Sequence, residues 1–156
     1  MKMKLQHLAL VFSLLCMALT SCHKSSEIKL VYSIEFSDDL EDVADIEVHY
    51  TDFNGVMYRE ITKGKGDKPT PKAMITVHYT GKLINGKVFD STQQGRPATF
   101  KLNQLIDGWR TALREMPVGS RWEIVIPFNL GYGAKGAGVI KPFSTLIFDV
   151  RLISIG

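Results

Sequence analysis

The stretch from Ile75 to Ser91, ITVHYTGKLINGKVFDS, decides the fold predicted for this chain. Apolar and polar residues alternate from Ile75 to Tyr79, which is the pattern of a half-buried strand. Asn85-Gly86 predicts a type I′ hairpin turn, in which both central residues need positive φ. The returning strand carries Phe89 and Asp90. Paired strands with a tyrosine hydroxyl, a phenylalanine ring and a carboxylate predict the wall of an apolar pocket with one polar corner.

Other segments outside this hairpin predict strands and one helix. Trp109, Ala112, Leu113 and Met116 have the spacing of an amphipathic helix from Trp109 to Met116, which Pro117 ends. One short helix among strands, without alternation of strand and helix, predicts an antiparallel α+β fold. The alternating segments predicted as strands are 28–36, 46–50, 56–61, 99–102, 122–126 and 145–155.

The first 21 residues have the features of a signal peptide. Lys2 and Lys4 precede the apolar run Leu8–Leu19, which is too short for an ordinary transmembrane helix. Leu19-Thr20-Ser21-Cys22 resembles the bacterial lipobox, and this implies that Cys22 becomes the first mature residue and carries lipid. The alternative is a plain secretory signal cut near Ser21. We expect three segments: 1–21 as signal peptide, 22–54 as tether (His23–Glu27) and extension, and 55–156 as globular domain.

Charge and cysteine content exclude several kinds of function. The net charge of +3 becomes +1 on maturation, since loss of Lys2 and Lys4 leaves 17 basic against 16 acidic residues. This balance predicts no nucleic-acid partner and no strong attraction of the whole chain to a membrane surface. The only cysteines are Cys16 and Cys22, so a mature chain lipidated at Cys22 has no thiol for catalysis or metal binding. Eight acidic residues lie between Glu35 and Asp52, either as a solvated face or packed against the basic remainder.

No familiar catalytic centre is present in the sequence. The glycine-rich loop 131–138 lacks the Lys-Ser/Thr and helix of a phosphate-binding loop, and His49 and His78 have no clustered partners. We therefore expect neither metal nor cofactor. Five aromatic residues on separate elements remain, and by pattern alone they indicate a core. Tyr132 argues for a site instead, because it lies between loop glycines. The five are Tyr79, Phe89, Trp109, Tyr132 and Phe148.

From Gly55 onward the sequence resembles the FKBP-type peptidyl-prolyl cis-trans isomerases. The motifs VHYTGKLINGKVFDS, LIDGW, MPVG, LGYGAKG and TLIFDVRLI occur in the family's order and near its spacing. The resemblance implies an antiparallel sheet of about five strands around one short helix, with a shallow apolar pocket between them. It also implies binding of proline-containing polypeptides and, for some members, of macrolides.

The resemblance implies roles for ten residues. Trp109 would be the floor beneath a proline ring, with Tyr79, Phe89 and Phe148 as walls and Asp90 as the polar corner. Tyr132 would hydrogen-bond the substrate backbone. The remaining substrate contacts would be Leu105, Ile106 through its backbone N–H, and Val139 and Ile140 as the apolar lip of the last loop.

Some positions depart from the family pattern. Many members have an arginine in the loop after FDS, where it can pair with the aspartate. In this chain Gln94 stands near that position, and two alternatives are open: Arg96 pairs with Asp90 instead, or no arginine does. Ala98 replaces a phenylalanine of some members, which predicts a more open wall, and Lys141 replaces a proline.

Two functional hypotheses follow. The first is a lipid-anchored, periplasm-facing prolyl isomerase that acts on exported proteins in a bacterial cell envelope. The second is a proline-peptide-binding module or holdase with the same pocket and little isomerase activity.

Overall fold

The structure is a computed structural model that describes residues 26–32, 46–93 and 95–156, with side chains from Tyr50 onward. The predicted signal peptide, Cys22 and most of the acidic segment lie outside these residues. No helix in the described part of the chain is long and apolar enough to cross a membrane. The elements are β1 (Ser26–Tyr32), β2 (Ile46–Phe53), β3 (Val56–Thr62), β4 (Met74–Leu83), β5 (Val88–Ser91), β6 (Ala98–Lys101), α1 (Asp107–Leu113), β7 (Arg121–Ile126) and β8 (Leu146–Ile155).

All the strands belong to one antiparallel sheet, so the predicted α+β architecture is confirmed. Seven strands follow the order β1-β2-β3-β7-β8-β4-β5, and β6 pairs with β4 beside this path. The sheet has eight strands rather than about five, because β1 and β2 extend it from the outer edge of β3. The last strand in the sequence, β8, lies in the middle, between β7 and β4.

The hairpin turns differ from the prediction. At Asn85-Gly86 only the glycine has positive φ, at 81°, so the predicted type I′ turn is wrong. The Asn85 side chain instead accepts a hydrogen bond from the Lys87 N–H at 3.1 Å, and the Gly86 N–H donates to the Leu83 carbonyl. Asn54-Gly55 between β2 and β3 has positive φ at both residues, 52° and 80°. This second Asn-Gly therefore meets the backbone requirement of the type I′ turn.

Two other boundaries also differ. β1 begins at Ser26, inside the predicted tether His23–Glu27. The helix begins two residues before Trp109 and ends three residues before Met116. Residues 114 and 115 continue as a turn, and the N–H groups of Glu115 and Met116 donate to carbonyls three residues back. The helix stops here because a residue before proline avoids the helical backbone.

The core lies between the helix and one face of the sheet. A methyl group at Gly108 would lie 2.4 Å from Ile126 Cγ2, so glycine is what permits α1 to approach β7 this closely. The fully buried core side chains are Val56, Ile75, Val77, Leu102, Leu113, Met116, Ile124, Ile126, Leu146, Val150 and Leu152.

On the opposite face, a polar cluster joins β2 to the rest of the sheet. The Tyr50 hydroxyl donates to Glu123 Oε1 at 2.5 Å, and Arg59 Nη2 donates to the same oxygen at 3.1 Å. We expect Tyr50→Phe to lower the free energy of unfolding by about 1.5–3 kcal/mol, the range for a hydrogen bond to a charged group. Urea unfolding of the full chain measures this change.

Tyr132→Phe is the matched control for this substitution, because the Tyr132 hydroxyl has no hydrogen-bond partner among the described residues. Equal stabilities of the two variants would show that the Tyr50 hydroxyl does not contribute to the attachment of β2.

Candidate active site

Trp109 is the centre of a group of aromatic rings between helix and sheet. It lies in α1 and is only 4% exposed. The rings of Tyr79 on β4 and Phe148 on β8 lie 5.3 Å and 5.2 Å from the indole, both at 89°. Phe100 on β6 lies 6.3 Å away at 86°. Three strands thus present rings perpendicular to one indole, the edge-to-face arrangement that aromatic pairs favour.

Phe89 completes this aromatic cluster from β5. Its ring lies 5.5 Å from that of Phe148, at 90°. The approach depends on Gly81, because a methyl group there would lie 2.6 Å from Phe89 Cζ and 2.8 Å from Phe148 Cε1. We use "aromatic cluster" below for Tyr79, Phe89, Phe100, Trp109 and Phe148.

The carboxylate of Asp90 lies at the edge of the aromatic cluster. The Tyr79 hydroxyl donates to Asp90 Oδ2 at 2.6 Å. Burial, the hydrogen bond to Asp90 and the charge of Asp90 raise the pKa of Tyr79, with a smaller contribution from Tyr132. The phenol therefore stays protonated at neutral pH and remains a donor.

The backbone after β5 holds this corner in place. The Thr92 N–H donates to the Tyr79 carbonyl at 3.0 Å, and the Tyr79 N–H donates to the Thr92 hydroxyl at 3.2 Å. Among the described residues no ion pair joins Arg96 to Asp90. Tyr79 is thus the side chain that fixes the carboxylate.

The residues predicted as substrate contacts differ in how far they are buried. Leu105 and Ile106 are half-buried and pack against the core just before α1. The Ile106 N–H has no hydrogen-bond partner in the described part of the chain, whereas its carbonyl accepts from the Arg110 N–H. Tyr132 is partly exposed in the loop between β7 and β8. This leaves one backbone donor and one loop hydroxyl free to bind a ligand.

The two residues predicted as an apolar lip have different surroundings. Val139 is exposed, but Ile140 is buried in the core, so the structure does not place Ile140 on a lip. Two backbone hydrogen bonds between Ala137 and Ile140, at 2.8 Å and 2.9 Å, close a tight turn that directs Ile140 inward.

Sequence reasoning missed Phe100. It contacts both Tyr79, at 6.0 Å between ring centroids, and Trp109. The signal was available, because Phe100 follows Ala98 by two residues on the short strand β6, on the same face. Some family members have a phenylalanine at the position of Ala98. In this chain a phenylalanine is instead present at Phe100, the next residue on the same face of β6.

A family model described as FKBP-type peptidyl-prolyl cis-trans isomerase matches residues 65–153, more than half of the chain. The chain belongs to this family. The FKBP-type 22 kDa isomerase of Escherichia coli is 52% identical over 104 residues, which cover 65% of this chain and 50% of that protein. The outer membrane protein MIP of Legionella longbeachae is 49% identical over 104 residues, covering 65% and 45%.

Solved FKBP-type structures have the same fold. A peptidyl-prolyl cis-trans isomerase from Pseudomonas syringae pv. tomato has a TM-score of 0.63 and 41% identity, over 66% of this chain and 77% of that one. FkpA from Escherichia coli has a TM-score of 0.62 and 39% identity, over 64% and 47%. The chain matches only about half of the length of its curated FKBP-type relatives.

Proposed function

We propose that this chain catalyses cis–trans isomerisation of X–Pro peptide bonds. The observation that carries the proposal is the aromatic cluster over Trp109, with the Tyr79–Asp90 hydrogen bond at its edge. An apolar floor of this kind suits a proline ring, which is apolar and lacks an N–H donor.

The physical basis is differential binding of a twisted amide. Rotation about an X–Pro bond breaks amide resonance and has a barrier of about 20 kcal/mol. The planar amide has more charge separation than the twisted one, so a dry aromatic surface destabilises the planar form. Hydrogen bonds that fit only the twisted geometry lower the barrier further.

The surrounding residues would supply those hydrogen bonds. The Ile106 N–H would donate to a substrate carbonyl, and the Tyr132 hydroxyl would bond the substrate backbone. Asp90, fixed by Tyr79, would be the polar corner beside the prolyl amide. Leu105 and Val139 would contact flanking apolar atoms, and Phe89 and Phe148 would be walls.

An isomerisation assay on proline tetrapeptides tests the proposal. We expect the full chain to accelerate the reaction and Asp90→Ala to reduce kcat/KM. A rate equal to the uncatalysed one would favour the alternative, a proline-peptide-binding module or holdase. A macrolide would occupy the same aromatic cluster and should compete with the peptide.

Tyr79→Phe separates the hydroxyl from the ring. We expect kcat/KM to fall about ten- to a hundredfold, since loss of a hydrogen bond to a charged group corresponds to about 1.5–3 kcal/mol. Tyr58→Phe is the control, because Tyr58 stacks on Trp122 at 4.1 Å, outside the aromatic cluster. Equal activity of the two variants would contradict a role for the Tyr79 hydroxyl.

We also propose that Cys22 carries lipid and anchors the chain in a bacterial envelope membrane, facing the periplasm, where it acts on exported proteins. The lipobox-like segment before Cys22 supports this, as does the relative from Legionella longbeachae, which is named outer membrane protein MIP. Labelling of the full chain with a radioactive fatty acid is expected for the wild type and not for Cys22→Ser. Failure to label the wild type would exclude the anchor and leave the isomerase proposal intact.

A further inference from the structure

Two exposed phenylalanines form a pair at one end of the sheet. Phe128 follows β7 and Phe143 precedes β8, and their rings lie 5.2 Å apart at 74°. They are 38% and 62% exposed. Phe143 has a φ of 60°, a conformation that bulky residues rarely adopt, and its N–H donates to the Gly133 carbonyl at 3.0 Å. Contiguous exposed rings held in this way indicate an interaction surface.

The loop that carries the pair has a distinctive charge pattern. From 127 to 145 it contains Lys135 and Lys141, both exposed, and no acidic residue. Amphipathic segments that lie in the membrane interface combine apolar side chains, phenylalanine included, with lysines, and anionic headgroups attract the cations.

The start of the described chain lies beside this loop. Ser26 pairs with Asp52, and the Asp52 carboxylate accepts a hydrogen bond from the Gly55 N–H at 3.3 Å. A methyl group at Gly55 would lie 3.6 Å from Leu130 Cδ1, so the turn between β2 and β3 packs on the turn that contains Phe128. The first residue of β1 therefore pairs beside the turn that packs on Leu130, two residues after Phe128.

The length of the tether makes this position significant. Only residues 23–25 separate Cys22 from Ser26. Four Cα–Cα steps span at most about 14 Å. A lipid at Cys22 would therefore hold this end of the sheet close to the bilayer, where exposed phenylalanines reach the interface without a long linker.

We propose that the docking patch, defined as Phe128, Lys135, Lys141 and Phe143, rests on the surface of the membrane that holds the anchor. The rings enter the interfacial region and the lysines face anionic headgroups. The inference rests on the lipid anchor proposed above, and it is independent of isomerase activity. The competing occupant is an unfolded polypeptide substrate, since Tyr132 belongs to the same loop.

Fluorescence quenching by brominated lipids tests the docking. The lipid-modified full chain is reconstituted in vesicles of phosphatidylethanolamine and phosphatidylglycerol with brominated acyl chains. Phe128→Trp adds an indole inside the patch, while Trp109 and Trp122 are buried background. Ile153→Trp is the matched control, because Ile153 is 39% exposed and lies near the opposite end of β8.

We expect the bromolipid to remove the emission added at position 128 and to leave the emission added at position 153. If the chain takes up the fatty acid but the indole at position 128 is not quenched, the docking proposal is overturned and the lipid-anchor proposal stands. Chain that takes up no fatty acid would overturn both. Neither labelling nor quenching depends on activity towards a soluble tetrapeptide. Failure of the isomerase proposal can therefore be distinguished from failure of the docking proposal.

Phe143→Asn separates the membrane from the competing occupant. Asparagine tolerates the left-handed backbone, so this variant retains the loop conformation. Combined with Phe128→Trp, we expect it to weaken the quenching of the indole at position 128. The tetrapeptide kcat/KM, measured without vesicles, should stay unchanged. A loss of kcat/KM with the quenching unaltered would show that the patch binds polypeptide instead of membrane.

Discussion

Trp109→Ala is expected to lower the free energy of unfolding by about 3–5 kcal/mol, the usual range for a large aromatic residue replaced in a core. The indole is 4% exposed and contacts rings from three strands, so no neighbour can fill the space without leaving its own partner. Urea unfolding measures the loss. The tetrapeptide kcat/KM should also fall on the order of a hundredfold, if a buried contact with the proline ring is worth about 2–3 kcal/mol.

Trp122→Ala is the matched control for this prediction. Trp122 is 3% exposed, stacks on Tyr58, and donates its indole N–H to Glu60 at 3.2 Å. Trp122→Ala should therefore lower the free energy of unfolding to a similar extent, while the folded fraction keeps the kcat/KM of the wild type. Similar losses of kcat/KM in the two variants, corrected for the folded fraction, would contradict a direct role of Trp109 in binding proline.

Gly81→Ala is expected to displace Phe89 and to reduce kcat/KM on the tetrapeptide. The new methyl group would overlap both Phe89 and Phe148, at 2.6 Å and 2.8 Å. Overpacking of this kind costs about 1–3 kcal/mol of stability. Because β5 is a short strand with exposed neighbours, Phe89 is the ring that can move, and it would leave its contact with Phe148.

Thr80→Ala tests whether this effect belongs to one face of β4. Successive side chains of a strand point to opposite faces, so Thr80 lies on the face away from the helix. We expect it to leave kcat/KM unchanged, with urea midpoints measured in parallel. A Gly81→Ala chain as active as Thr80→Ala would mean that Phe89 adapts without loss of the site.

Several features of the fold could be predicted because they depend on local sequence. Alternation fixed the strands around Tyr79 and Ile124, and the helical spacing placed Trp109 on a buried face. Local rules were insufficient at Asn85-Gly86, where the asparagine side chain bonds the Lys87 N–H and a different turn forms. At the same dipeptide in Asn54-Gly55, both residues do have positive φ.

Other features depend on contacts between distant segments. The pairing of β2 with β3 extended the sheet, and no local pattern states which edge a strand will join. Phe100 became part of the aromatic cluster because β6 pairs with β4. Ile140 and Val139 are adjacent apolar residues, and the turn at Ala137 decides which of them is buried.

The central position of β8 has a consequence for the order of events during synthesis. β8 pairs with β4 through Leu83↔Leu146 and with β7 through Ile126↔Leu146, and it supplies Phe148 to the aromatic cluster. Ribosomes deliver this strand after every other strand of the sheet. Until it emerges, β4 and β7 lack the strand that lies between them, and the core lacks the buried side chains of β8. We therefore expect the sheet to close only after β8 has been synthesised, through long-range pairings that form slowly.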